Sequence, residues 1–283
     1  MSRRALIALA ATLACVVAPA TPTAAPQKVP HRIVSLSPTA TESLFAIGAG
    51  KQVVAVDDQS DYPSNAPRTK LSGYTPNVEA IAGYRPDLVV ISGDVKGLRA
   101  SLGKLGIPVL LQPAAKSLSD SYFQIRQLGL RTGHERIAER LVAGMRTRIA
   151  KALASAPKRS LSVYHELTPD YFSATSHTFI GRVYRLFGLR NIADAADASG
   201  SGYPQLSAEY ILTANPDVVV LADTRCCGQS AATVAARPGW NRIAAVRTGT
   251  IVRIDDSIAS RWGPRVVNFV RAVASALRSQ STK

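Results

Sequence analysis

Cysteine is scarce in this chain, and the residue groupings that catalysis uses are missing. Its only cysteines are Cys15, Cys226 and Cys227. A metal- or cluster-dependent enzyme using Cys226 and Cys227, the alternative from another functional class, needs more thiolates than these. The sequence shows no nucleophile–base pair, phosphate-binding loop or carboxylate dyad. We therefore expect a protein that is not an enzyme and that has no intrinsic cofactor or metal centre.

Long hydrophobic runs are missing except at the N-terminus. A basic start at residues 1–4 precedes an apolar stretch at 5–18 that is too short to span a bilayer. This pattern predicts a signal peptide over residues 1–28. Cleavage at the small residues 18–20 and acylation of Cys15 as a lipoprotein both remain open. The mature chain is expected to be secreted, periplasmic or in the cell envelope, with a lipid anchor to the outer face of the cytoplasmic membrane as one alternative.

Acidic residues are few, 19 against 34 Lys and Arg, and the net charge is +15. Such an excess is typical of nucleic-acid-binding proteins. However, zinc-finger, KH and RNP patterns are missing, the charge is dispersed along the chain, and a signal peptide separates the protein from nucleic acid. We expect no nucleic-acid partner, and attraction to an anionic cell surface or an anionic ligand instead.

A repeated phrase is the most informative feature that is present. Residues 77–91 and 206–221 each contain a Glu, then Pro-Asp, then a β-branched run, and Glu79 and Glu209 are separated by the same 130 residues as the two Pro-Asp pairs. This offset is far too long for a solenoid. Each copy predicts a short helix with an acidic start, a Pro that ends it and a strand buried on both faces. Such strands belong to parallel sheets covered by helices, so we predict an α/β fold with two similar lobes and a ligand cleft between them.

The longest helical pattern lies between the two copies, at residues 134–155, and spans roughly 33 Å at 1.5 Å per residue. It predicts a stiff helical connector at residues 132–157, between an N-terminal lobe at 29–131 and a C-terminal lobe at 158–283. Hydrophobic residues recur four positions apart along it, at Ile137, Leu141, Met145, Ile149 and Leu153.

The N-terminal lobe is predicted to begin with a strand at residues 32–36. Thr39 and Glu42, which follow it, have the spacing of a capping box. We therefore predict that they start a helix that continues through Ile47.

Several of these motifs, taken in order, resemble a known family. Over almost all of the mature chain they look like the helical-backbone substrate-binding proteins of ABC importers, in the vitamin B12- and iron-siderophore-binding branch. The resemblance implies two Rossmann-like lobes with parallel sheets, joined by a single long helix, with the ligand between them. The motifs are Arg32 to Glu42, Ser60-Asp61-Tyr62-Pro63, the two repeat copies, the central helix, and Phe179-Ile180-Gly181 with Asn191-Ile192.

The resemblance also implies a protein partner. Members of the family contact a permease dimer, which works with an ATPase, through one acidic residue on each lobe. The matching residues here are Glu79 and Glu209. The alternative is that a carboxylate early in a helix only stabilises the helix dipole, by about 0.3 to 1 kcal/mol.

A corrinoid or haem needs aromatic faces for stacking and a few polar or cationic groups. Four aromatic candidates lie beside Gly or Pro in predicted loops, and Tyr74 and Tyr203 should face each other across the cleft because each precedes one copy of the repeat. Arg261 could bind a ligand carboxylate or phosphate, and the second lobe adds two weaker candidates. These ligand-binding candidates are Tyr62, Tyr74, Tyr203, Trp262, Arg261, Ser176 and His177.

Cys226 and Cys227 can pair with each other, with another molecule or with a ligand. Neighbouring Cα atoms are about 3.80 Å apart, below the usual disulfide range, yet an oxidising compartment favours the bond. A vicinal disulfide, a free pair and metal ligation remain open.

Together these observations predict a monomeric solute-binding protein that delivers a metal chelate to a permease. A corrinoid such as cobalamin is favoured, and an iron-siderophore or haem is the alternative ligand of the same type. A non-transport adhesin is a third possibility.

Overall fold

Two four-stranded parallel sheets organise the molecule. The computed structural model describes residues 28–157 and 159–279; the predicted signal peptide lies outside this part except for Lys28. The sheet orders are β2-β1-β3-β4 and β6-β5-β7-β8, with every pairing parallel. The predicted α/β fold with two lobes is confirmed. The strands are β1 (Ile33–Leu36), β2 (Val53–Val56), β3 (Leu88–Ile91), β4 (Val109–Leu111), β5 (Ser162–Glu166), β6 (Arg190–Asn191), β7 (Val218–Leu221) and β8 (Ile251–Arg253).

Helices follow the strands in both lobes. No helix in the described ranges combines the length and the apolar character needed to cross a membrane. The first lobe contains α1 (Pro38–Ala46), α2 (Val78–Gly83), α3 (Leu98–Lys104) and α4 (Leu118–Thr132), and α5 (Glu135–Ser155) is the long helix between the lobes. The second lobe contains α6 (Phe179–Leu186), α7 (Ala208–Ala214), α8 (Ala231–Ala235), α9 (Ala244–Thr248), α10 (Asp256–Ala259) and α11 (Val266–Ser279).

The two repeat copies form the same unit in each lobe: α2 with β3, and α7 with β7. Arg85 and Asn215, 130 residues apart, both lie just after their helix and have a positive φ, of 47° and 44°, and Pro follows each of them. The Asp of each copy then accepts hydrogen bonds from the start of the neighbouring strand. Asp87 accepts backbone N–H groups just before β1, and Asp217 accepts the backbone N–H and hydroxyl of Ser162 at the start of β5. The repeat therefore encodes a helix end, a strand and a cap for the strand beside it.

The predicted helix through 134–155 is present as α5, but its buried face differs from the four-residue pattern. An α-helix has 3.6 residues per turn, so a strict spacing of four drifts around the axis. Ile137, at one end of that pattern, is 36% exposed. The residues of α5 that are buried are Ala138, Val142, Met145, Ile149 and Ala152.

The lobes share one hydrophobic core through α5. This helix packs against α4 of the first lobe and α11 of the second. The largest buried cluster contains side chains from both lobes and from α5, among them Leu44, Met145 and Phe269. The connector is therefore a packed element of the core.

The predicted capping box at the start of α1 is wrong. The N-cap is Ser37, whose hydroxyl accepts the N–H of Ala40, and Pro38 is the first helical residue. Thr39 is buried within the helix. Glu42 is also buried, because it binds two arginines of the second lobe.

Candidate ligand site between the lobes

Loops that follow the strands of the two sheets meet where the lobes face each other. The loop after β2, which carries Asp61, contacts the loop after β7 through Arg225 and the segment after β8 through Ser257 and Arg261. In open α/β sheets the crevice at the carboxyl ends of the strands is the usual ligand site. This junction is therefore the candidate site.

A buried ion-pair network connects the lobes at this junction. The Glu42 side chain, 1% exposed, accepts hydrogen bonds from Arg261 at 2.9 Å and from Arg265 at 2.9 and 2.5 Å. Asp61 accepts from Arg261 at 2.7 Å and lies 3.4 Å from Arg225. Burial raises the pKa of Asp61, but the hydrogen bond and charge of Arg261 outweigh it, so that this pKa lies below its ordinary value.

Three of the predicted ligand residues lie at this junction. Arg261 is engaged by Glu42 and Asp61. Tyr62 is 46% exposed, and its ring centre lies 4.2 Å from the guanidinium carbon of Arg265, in a cation–π contact. The indole N–H of Trp262 donates to Gln124 at 2.8 Å. Of the three, Tyr62 has the largest surface free for a ligand.

The other predicted ligand residues lie on separate loops. Tyr74, 78% exposed, precedes α2, and Tyr203, 49% exposed, precedes α7, so the two tyrosines occupy equivalent places in the two lobes. Ser176 is held by Asp194, which accepts its N–H at 2.7 Å and its hydroxyl at 2.6 Å. His177 is exposed.

A cavity of about 390 Å³ lies between the first residues of α4 in one lobe and α6 in the other. Phe179 and Arg182 contribute an aromatic face and a cation, and Ser117 and Ser119 contribute hydroxyl groups. This combination suits a ligand with an apolar body and anionic or polar substituents. Phe179 appears in the sequence motif Phe179-Ile180-Gly181, but Arg182 was not predicted.

Glu79 and Glu209 occupy the same position in their helices. Each is the second helical residue, after the N-caps Asn77 and Ser207. Both are exposed, and neither carboxylate makes a hydrogen bond or ion pair with another described residue. Two equivalent, unpaired carboxylates are thus displayed on the two lobes.

A buried carboxyl pair in the second lobe was not predicted. Glu166, at the end of β5, accepts Arg237 in a bidentate pair at 2.6 and 2.7 Å. Asp223, just after β7, is fully buried, and its carboxyl oxygens lack hydrogen-bond partners among the described residues. Burial and the charge of Glu166 raise the pKa of Asp223 to about 7. The only sequence signal is that each acidic residue lies at or just after the end of a hydrophobic strand.

Cys226 and Cys227 form a vicinal disulfide in the exposed loop after β7. The loop is fixed by Asp256, which accepts the backbone N–H groups of Arg225 and Cys226 at 3.0 and 2.7 Å. Sulfurs bonded to each other are not available as thiolate ligands. Within the described ranges, no three His, Cys, Asp or Glu residues are grouped to hold a metal ion.

Comparison with known proteins agrees with this architecture. A model of the periplasmic binding protein family matches residues 33–258. The uncharacterized ABC transporter substrate-binding lipoprotein YvrC of Bacillus subtilis is 30% identical over 268 residues, covering 91% of this chain and 83% of the relative. A cobalamin-binding protein of Halobacterium salinarum is 32% identical over 260 residues, covering 88% and 70%.

A solved structure extends the agreement to the whole fold. The periplasmic heme-binding protein RhuT from Roseiflexus sp. RS-1, in its apo form, gives a TM-score of 0.75 at 26% identity, covering 88% of this chain and 99% of that chain. The family model also covers well over half of the sequence. The chain belongs to the periplasmic binding protein family.

Proposed function

We propose that this protein is the extracytoplasmic substrate-binding protein of an ABC importer and that it captures a corrinoid, with cobalamin favoured. The observation that carries the proposal is the equivalence of the lobes. Each presents an exposed tyrosine, Tyr74 or Tyr203, shortly before a helix that starts with an unpaired glutamate, Glu79 or Glu209. Such an arrangement supplies two aromatic faces for a flat ligand and two carboxylates for a symmetric partner.

The junction between the lobes adds further aromatic and cationic groups for binding the ligand. Tyr62 presents a third aromatic face, and the cavity between α4 and α6 offers Phe179 and Arg182. The relative from Halobacterium salinarum, named a cobalamin-binding protein, supports the choice of a corrinoid. Binding and release need no bond to be broken, so we propose no enzymatic activity and no resident cofactor.

The partner in this proposal is a permease dimer with its ATPase, and the protein itself acts as a monomer. Glu79 and Glu209 would each contact basic residues of one permease subunit. The relative YvrC, named an ABC transporter substrate-binding lipoprotein, supports an importer and an envelope location. A lipid anchor at Cys15 belongs to the same proposal.

Haem or an iron-siderophore is the second candidate ligand. The structural neighbour RhuT, named a heme-binding protein, favours it. The side chain of Arg182, in the cavity between the lobes, has no hydrogen-bond or ion-pair partner among the described residues, and an arginine is well suited to a ligand carboxylate such as a haem propionate.

Calorimetric titration of the purified mature protein with cobalamin, haemin and ferric siderophores tests the proposal. We expect one-to-one binding, with cobalamin the tightest ligand. Replacing Tyr74 or Tyr203 by Ala should weaken binding about 2- to 12-fold, the range for loss of one aromatic contact. Phe123→Ala, which removes an aromatic residue that is 63% exposed on α4, should leave affinity unchanged. Tighter haemin binding would select the second candidate, and a flat titration with all three ligands would refute both.

A further inference from the structure

Two segments of the chain contain basic residues and no acidic ones. Residues 140–165 and 257–283 contain 11 of the 34 Lys and Arg residues and none of the 19 acidic residues, so they carry +11 of the net +15. Their described parts lie together because α5 packs against α11. Two segments that are distant in the sequence therefore meet in the fold, although Arg261 and Arg265 of the second segment are paired with Glu42 and Asp61.

A groove of about 740 Å³ lies between these two helices. Both helices line it with residues at positions i, i+3, i+4 and i+7, which share one helix face. Each contributes a cation at i+3, an Ala at i+4 whose short side chain leaves the groove open, and a Ser at i+7. The two sets are Arg148, Lys151, Ala152 and Ser155 on α5, and Asn268, Arg271, Ala272 and Ser275 on α11.

The cations of the groove are not balanced by the protein. The side chain of Arg278 donates to the hydroxyl of Ser155 at 2.7 Å, whereas the side chains of Arg148, Lys151 and Arg271 make no hydrogen bond or ion pair with any described residue. No acidic side chain is among the described residues that line the groove. Like charges three or four residues apart on a helix are destabilising. An anionic partner would remove this repulsion.

The shape of the groove restricts what the partner can be. Residues 268–278 extend about 15 Å along α11 at 1.5 Å per residue, which is longer than a single phosphate group. The cations lie on both sides of the groove, with alanines between them at its base. A flat bilayer would contact only the outer edges of the groove. Single-stranded nucleic acids bind through aromatic stacking as well as charge, and the described lining contains no aromatic residue.

We propose that the groove between α5 and α11 binds a linear, non-nucleotide polyanion whose repeating units are phosphate groups. Arg148, Lys151 and Arg271 would contact successive phosphates, and Ser275 and Asn268 would donate hydrogen bonds to their oxygens. An exported protein with this groove could attach to a phosphate-bearing polymer of the cell envelope. This role uses none of the residues proposed to bind the transported ligand.

Binding of inorganic polyphosphate, measured by calorimetry over a range of salt concentrations, tests the inference. In the triple variant Arg148→Gln, Lys151→Gln, Arg271→Gln we expect affinity to fall about 100-fold at 0.1 M salt, and the slope of log K against log salt to decrease by about 2, since each lost phosphate contact removes about 0.7. The conservative variant Arg148→Lys, Arg271→Lys should retain binding. Melting temperature and far-UV circular dichroism report whether each variant is folded.

A matched control removes three positive charges elsewhere. Lys51→Gln, Arg99→Gln, Lys104→Gln changes exposed residues of the first lobe and should alter polyphosphate affinity less than about 3-fold, because the net charge alone acts weakly at this salt. Equal losses in the two triple variants would overturn the inference. So would equal or tighter binding, at this groove, of polyglutamate, an oligonucleotide or phosphatidylglycerol vesicles.

Discussion

Asp223 and Glu166 place a titrating group in the interior of the second lobe. The pKa of Asp223 is raised to about 7 by burial and by the charge of Glu166, while Glu166 itself is held by Arg237. In the unfolded chain Asp223 returns to its ordinary value of 3.8. Between these values the native protein holds a proton that the unfolded chain releases, so the contribution of Asp223 to stability falls as pH rises from about 4 to about 7.

The variant Asp223→Asn isolates this effect, because Asn resembles the protonated carboxyl and does not titrate. We expect the unfolding free energy of the natural protein, relative to the variant, to decrease from about pH 4 to about pH 7 and then to level off. His165, whose pKa burial lowers to about 3, gives the opposite trend below its ordinary value of 6.5, but equally in both proteins. Urea unfolding at several pH values provides the measurement. A difference independent of pH would contradict the assignment.

Glu42 connects the two lobes through a buried pair of salt bridges. Its side chain is 1% exposed and accepts hydrogen bonds from Arg261 and Arg265. Glu42→Gln leaves Arg265 partly buried without its counter-charge and leaves Arg261 with Asp61 alone, so we expect a loss of about 3 to 5 kcal/mol in unfolding free energy. Chemical denaturation measures the loss. Glu139→Gln, which disrupts the exposed pair with Arg126, is the matched control and should have little effect; equal losses would show that burial is not the cause.

At the scale of elements, the repeat was the most predictive part of the sequence. Its Pro-Asp and hydrophobic run encode local events, a helix end and a buried strand, and these are visible in the residues themselves. The role of Asp87 and Asp217 in capping a neighbouring strand is not visible, because it depends on which strand lies beside them. Helix α4 was not predicted. The capping box predicted from the spacing of Thr39 and Glu42 was wrong because the sequence does not show that Glu42 binds arginines more than 200 residues away.

Helices α2 and α7 present Glu79 and Glu209 at equivalent positions, and this equivalence has a functional test. If the two carboxylates contact a permease, the double variant Glu79→Ala, Glu209→Ala should lose uptake while its affinity for the ligand in solution stays unchanged. A role limited to the helix dipole would lower stability by about 0.3 to 1 kcal/mol per residue and leave uptake intact. Radiolabelled uptake in cells, alongside calorimetry on the purified variant, separates the two.

Glu135→Ala provides the control for this experiment. Glu135 is also exposed and lies in the first turn of a helix, α5, outside the repeat. The Glu135→Ala substitution should leave uptake unchanged. Equal loss of uptake in the control, or normal uptake in the double variant, would argue against docking through the repeat and would favour a role outside transport.

For the whole molecule, the separation into lobes does not imply separate folding units. Side chains of both lobes and of α5 belong to one buried cluster, and the ion pairs of Glu42 and Asp61 cross the same junction. Each lobe also has a smaller buried cluster of its own, but domains that unfold independently exchange few contacts. The sequence, with its two similar halves and central helix, could not reveal this shared core, because the alanine and methionine face of α5 is recognised only once its neighbours are known.

We therefore expect the mature protein to unfold in a single cooperative transition. Scanning calorimetry should give equal calorimetric and van't Hoff enthalpies, and near-UV and far-UV circular dichroism should change together. Met145→Ala, in the middle of the shared core, should cost about 2 to 5 kcal/mol and lower the melting of both lobes together, because its side chain is buried in α5 between them. Two resolved transitions, with only one shifted by this substitution, would show instead that each lobe is stable without the other and that α5 serves merely as their link.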